Sequence, residues 1–261
     1  MLSLVGVRAA DRRKLKPRIF VDFTRITDSG TPYSEPLAVA DFGSIAEFHR
    51  DSHLFLVDQA DRVAFEKVLR AVFPARKTGP DDSGGRFGVA LVPSHHYTIG
   101  YAIKFPPHFH WAAGGMLPGI CGGANCYCGI EPENFVVTAG WSSIGCLQIE
   151  LCSRNRRGEK FVHTVTTNYT LPKGEWIDLT LDVQLNQPQE NNGFVSVTVN
   201  NTFFDALQNV AFRSSSTVQI DTFLYSTFFT TGDSSTHRRS SHGPSIDVYA
   251  DFDDITVAKA P

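Results

Sequence analysis

Long apolar runs are absent. No stretch approaches the roughly 18 residues that a membrane-spanning helix needs, so no membrane partner is expected. Charge of one sign is lacking too: 24 lysines and arginines stand against 27 aspartates and glutamates, a formal net charge of −3. That balance argues against a dedicated nucleic-acid binder and leaves room for a local basic cleft. Helical periodicity is thin, and no repeat of fixed period suggests a propeller. The opening "MLSLVGVRAADRRKLKPR" meets charged residues after only a few apolar ones, so no signal peptide is evident. Sequons at Asn168 and Asn200 are nonetheless compatible with secretion, and an extracellular location is the expectation.

Strands and turns fill most of the 261 residues. From residue 86 onward, segments such as "RFGVALVP", "YTIGYAIKF", "GCLQIELCSR", "EKFVHTVTTNY", "EWIDLTLDVQLN", "GFVSVTVNNTFF", "STVQIDTFLYSTFF" and "SIDVYADFDDITV" alternate apolar and polar residues. "NRRG", "LPKG", "QENNG" and "TTGDSST" supply turns between them. Upstream, "ADRVAFEKVLRAVF" (60–73) reads as helix, although its second half also alternates like a strand. The pattern predicts an all-β protein with few short helices, a sandwich or jelly roll. Residues 1–20 read as an N-terminal tail and 21–261 as a single domain.

One hairpin can be placed by its turn. If Arg154 pairs with Glu159 across the basic turn, Cys152 faces Phe161 and Glu150 faces His163, with Gln148 on the same side of its strand. A slip of one residue would destroy that pairing. Just upstream, "HFHWAAGGMLPGICGGANCYCG" (108–129) crowds six glycines and three cysteines into what reads as a loop. The five cysteines, Cys121, Cys126, Cys128, Cys146 and Cys152, leave at least one thiol unpaired in a monomer. Their C-x4-C-x-C spacing is not the paired C-x2-C of a zinc site, so disulfides or buried thiols are favoured over a metal.

"GYAIKFPPHFHWAAGGMLPGICGG" resembles the signature of the family 14 polysaccharide lyases and their glucuronan-lyase relatives, in which a strand leads to G-G-K-L-P-G-x-x-G-G. "VLRAVFPARKTGPDDSGGRFGVAL", "GEWIDLTLDVQLNQPQENNGFVSVTVNN" and "STFFTTGDSSTHRRSSHGPSIDVYADFDDITV" agree in order, so the resemblance runs from about residue 60 to the C-terminus. It implies a jelly-roll β-sandwich with a concave groove for an acidic polysaccharide, with the glycine loop folded over the mouth of the cleft. It also implies β-elimination, which needs the uronate carboxylate neutralised, a base for the C5 proton and an acid for the leaving oxygen.

The chain departs from the family at the reacting positions. The lysine of G-G-K-L-P-G is Met116, beside Gly115. The family's S-x-R-x-M-W-R falls on Gln148 to Arg154, placing Gln148 at the serine and Glu150 at the inner arginine. The two tyrosines of G-E-V-Y-x-Y become Phe161 and His163. The resemblance therefore makes His163 the candidate base, Glu150 the group that orients it, and Arg154 the partner of a substrate carboxylate. A structural cross-strand hydrogen bond between Glu150 and His163 is the competing reading. A negative Glu150 would repel a uronate, which hints at a neutral sugar or at a hydrolase with Glu150 as one of two carboxyls.

Lys104 is a candidate for a basic rim and Trp141 for stacking on a sugar, although solvated charge and core packing are equally good readings. His108 and His110 with His95 or His96, or the carboxylates of "DDSGG" and "DFDD", are weaker metal candidates. No metal and no cofactor is expected. The expected partner is an acidic polysaccharide bound by a monomer. The leading function is a diverged lyase acting on glucuronan or alginate; the alternatives are a non-catalytic carbohydrate-binding protein and a glycoside hydrolase using Glu150.

Overall fold

Side-chain alternation needs two apolar faces to meet, and here two antiparallel sheets supply them. The structure is a computed structural model that describes residues 19–24, 28–49, 53–59, 67–123, 126–127, 134–154, 160–230 and 243–260. In chain order its elements begin with β1 (Ile19–Val21), β2 (Thr31–Pro32), α1 (Glu35–Phe42), β3 (Ile45–Phe48), β4 (Leu54–Asp58) and β5 (Lys67–Phe73). β6 (Gly85–Ser94), β7 (His96–Lys104), β8 (Gly115–Gly122), β9 (Phe135–Trp141) and β10 (Cys146–Arg154) follow. The remainder are β11 (Lys160–Thr170), β12 (Trp176–Gln184), β13 (Gly193–Val199), β14 (Thr202–Val210), β15 (Ile220–Phe229) and β16 (Val248–Lys259).

The first sheet runs β14-β13-β12-β7-β16-β5-β4-β2, with β1 beside β16, and the second runs β11-β10-β9-β8-β15-β6-β3. This is an all-β sandwich with one short helix among the described residues, consistent with a jelly roll. Between the sheets lie Phe135, Val137, Ala139 and Trp141 of β9, Leu147, Ile149 and Leu151 of β10, and Phe223 and Tyr225 of β15. Trp141 meets Phe73, Phe105, Phe109 and Phe229 edge-on at 5.3 to 6.1 Å. Tyr225 stacks on Phe87 at 4.7 Å. Burying each such ring contributes about 1.5–3 kcal/mol over leaving it in water.

Four segments differ from the sequence reading. The glycine-rich segment is not a loop: Gly115–Gly122 is β8, in the interior of the second sheet. Its glycines serve close packing, since a Cβ on Gly119 would collide with the Val137 carbonyl and one on Gly115 with the Trp141 ring. "GFVSVTVNNTFF" is two strands, because Asn200 and Asn201 both take positive φ, 48° and 62°, the geometry of a two-residue hairpin turn. Lys67–Phe73 is strand, not helix, and buries five of its seven residues; residues 60–66 lie outside the described part. Helix α1 was not foreseen. Pro36 stands in its first turn and its buried Phe42 packs on Phe87 and Phe223.

Candidate active site on the second sheet

Since Ile149 and Leu151 point into the core, Gln148, Glu150 and Cys152 point outward. Their neighbours share that face: Gln148 pairs with Gly140 and Thr166, Glu150 with Thr138 and Thr164, and Cys152 with Val136 and Val162. Met116 of β8 pairs with Gly140. Gln148 Nε2 donates to Thr166 Oγ1 at 2.8 Å, tying two columns of this floor together. A pocket of about 120 Å³ opens beside Glu150, bounded by Met116, Val136, Thr138, Val162, Leu224 and Arg86.

Glu150 is the unusual member. The absence of a side chain at Gly140 lets its carboxyl lean across β9: a Cβ there would stand 3.1 Å from Glu150 Oε1. No hydrogen bond or ion pair reaches that carboxyl from a described residue. Burial therefore pushes its pKa from 4.5 up to about 7, because nothing stabilises the charged form. Arg86, the cation in the pocket wall, is engaged elsewhere. Its Nε meets Glu47 Oε1 at 2.9 Å, its Nη2 donates to the Cys126 carbonyl at 3.0 Å, and its guanidinium lies 4.3 Å from the Tyr127 ring centre.

Disulfides flank the same pocket. Cys121 bonds to Cys126; Cys152 is also disulfide-bonded, to a partner outside the described residues, while Cys146 keeps a free thiol. Cys121, Cys126, Val136 and Leu224 form a small buried cluster apart from the main core. Above them the Tyr127 hydroxyl and His49 Nε2 stand 3.0 Å apart, and Asn134 Nδ2 donates to the Tyr127 carbonyl. Cys126 and Tyr127 are thus held beside the pocket.

The hairpin register corrects the expected pairing. Arg154 pairs with Lys160, not Glu159, so the connection holds five residues instead of four. That slip puts Phe161 opposite Ser153 and His163 opposite Leu151, on the other face of the sheet from Glu150. His163 does not meet Glu150, and Phe161, 53% exposed, does not line the pocket. Met116, Gln148 and Glu150 do share one face. Arg154 ends the same strand, its Cα about 13 Å from that of Glu150; its side chain lies outside the described residues.

Three further candidates fall elsewhere. Trp141 is fully buried in the core and Gly115 packs beneath its ring, so neither meets a ligand on this face. Lys104 belongs to β7 of the other sheet, where it borders a separate depression with Arg70, Tyr249 and Asp251. His96 Nε2 meets Asp182 at 2.9 Å and the His108 ring rests against Tyr249. Among the described residues no three histidine, cysteine or carboxylate side chains converge on a metal position. Thr138, Val162 and Thr164 were missed for want of the register, whereas Arg86 carried no signal at all.

These features define a jelly-roll β-sandwich with a small pocket and a half-buried carboxyl on one outward face. Residues 62–255 match the polysaccharide lyase 14 family, and the chain belongs to that family. Its fold is similar to that of the alginate lyase of Aplysia kurodai, at 15% identity over 94% of this chain and 100% of the other, with a TM-score of 0.73. A variant of alginate lyase Aly36B in complex with alginate trisaccharide is 16% identical over 95% and 100%, with a TM-score of 0.73. The endo-β-1,4-glucuronan lyase of the fungus Trichoderma reesei is 11% identical over 94% and 96%, with a TM-score of 0.61. No curated protein matches the chain.

Proposed function

We propose that this chain is a polysaccharide-binding, lyase-like protein that takes a uronan of the glucuronan or alginate type across the outward face of the second sheet and cleaves it by β-elimination. Glu150, not His163, is the proton-transferring residue. The observation that carries this reading is an unpaired carboxyl with a pKa of about 7 at the wall of a pocket, the property a general base and acid needs near neutral pH. As carboxylate, Glu150 accepts the C5 proton; the C5–H electron pair forms the C4–C5 double bond as the C4–O bond breaks. As acid, it returns the proton to the leaving oxygen, so one residue serves both halves of the step. Thr164 and Gln148 offer hydroxyl and amide contacts to the sugar. Family membership and the alginate and glucuronan lyases of like fold support the polymer class.

The disulfides at Cys121–Cys126 and at Cys152 support an oxidising, extracellular setting. A hydrolase would need a second carboxyl roughly 5–10 Å away. No other described carboxylate lines the pocket, and Glu47, the nearest by contact, is held by Arg86.

The experiment is the ultraviolet absorbance of unsaturated uronate, followed on glucuronan and alginate with binding scored in the same tubes. A rise that Glu150→Gln abolishes and His163→Ala leaves intact is the expected result. Binding with a flat trace would favour a second reading, a carbohydrate-binding protein without catalysis, which Met116 at the family's lysine position supports.

A further inference from the structure

The pocket beside Glu150 has the wrong chemistry for a free carboxylate. Met116, Val136, Val162 and Leu224 make most of its wall apolar, and the Cys121–Cys126 disulfide lies behind them. Its one described cation, Arg86, is held by Glu47, the Cys126 carbonyl and the Tyr127 ring, with its side chain 6% exposed. A uronate carboxylate seated there would meet the Glu150 carboxyl and no available counter-charge among the described residues. Two like charges in close contact near a protein surface repel each other. The same wall suits a small uncharged group. At about 120 Å³ the space is far below that of an enclosed ligand cavity, and it has room for a substituent rather than for a sugar ring.

Resting on the reading of this face as the polysaccharide site, we propose that the polymer it takes is a uronan whose carboxyl groups are methyl-esterified, the ester seated among Met116, Val136, Val162 and Leu224. Esterification does covalently what a lysine or arginine does electrostatically: it removes the negative charge and makes the C5 hydrogen more acidic. Met116 and Glu150 then become a matched pair. The thioether packs against the ester methyl, and the carboxyl works beside a neutral sugar that does not repel it. The elimination balances without a co-reactant. The C5–H bond breaks with its proton passing to Glu150, the C4–C5 double bond forms, the C4–O bond breaks, and the proton leaves on the departing hydroxyl. The ester stays on the product.

The test uses the whole protein with one polymer in two forms, glucuronan and its methyl ester at equal chain length, near pH 7. Binding is measured by titration calorimetry and cleavage by the absorbance of the unsaturated product. The ester should bind at least about tenfold more tightly, in keeping with removal of one close like-charge contact, and any cleavage should favour it. Met116→Lys should reverse that preference by restoring a cation for the free acid. Equal binding of both forms, or tighter binding of the free acid by the unaltered protein, would overturn the inference while leaving the polysaccharide site standing. Binding of neither form, in a protein whose circular dichroism shows it folded, would remove the site and the inference together.

Discussion

Glu150 and Asp251 occupy equivalent places in the two sheets: each is a carboxyl on the outward face of an interior strand. Asp251 of β16 is 2% exposed, yet Arg70 grips it through two bonds, Nε to Oδ1 at 2.7 Å and Nη2 to Oδ2 at 2.9 Å. Gln59 approaches at 3.4 Å, and the Arg70 guanidinium in turn lies 3.7 Å from the Tyr249 ring centre. Among the described residues Glu150 has no such partner, and the one described cation in its pocket wall is spent on Glu47. A buried ionised group without a partner is unstable, so it shifts its pKa instead. One carboxyl is built for structure, the other is left available for chemistry.

Breaking the structural member should have the larger effect. Asp251→Ala removes both hydrogen bonds that the partly buried Arg70 makes to this carboxylate and should lower stability by about 3 kcal/mol, read as a fall in the midpoint of urea unfolding. Glu150→Gln should do the opposite, in a pH-dependent way. The folded pKa near 7 lies above the unfolded value near 4.5, so the folded state binds the proton more tightly. The native protein therefore loses stability as pH rises from about 4.5 to 7 and levels off above. The amide variant escapes that loss. At pH 8 it should be more stable than the native chain by about 2 kcal/mol, allowing for partial exposure, with little difference at pH 4.

Binding should show the same group. A free polyuronate should be held less tightly at pH 8 than at pH 5.5, because Glu150 becomes charged in between, and this dependence should vanish in Glu150→Gln. The smallest effect is expected at His163, exposed and on the opposite face. His163→Ala should change stability by less than about 0.5 kcal/mol and leave polymer binding unchanged in the same titration.

The sandwich was legible because alternation is a property of each strand taken alone: the segments read at β6, β7, β10, β11, β12, β15 and β16 all fold as strands. β8 was not, since its glycines have no propensity to read and act only through what they let approach, the Trp141 ring and the Val137 carbonyl. The face bearing Gln148, Glu150 and Met116 was within reach once the family resemblance aligned them. The His163 pairing depended on the length of a single turn, and one extra residue there exchanged Phe161 and His163 for Val162 and Thr164. Lys104 and Trp141 carried the right chemistry, but only three-dimensional placement assigns them to the other sheet and to the core.

The availability of Glu150 is the centre of the account, and its own titration tests it most directly. Carbon-13 labelling of glutamate side chains, with Glu150→Gln to assign the resonance, would follow the carboxyl shift against pH in the free protein. A midpoint near 7 is the expected result. A midpoint near 4.5, the value of an ordinary solvated glutamate, would contradict it and leave this face without a proton-transferring group.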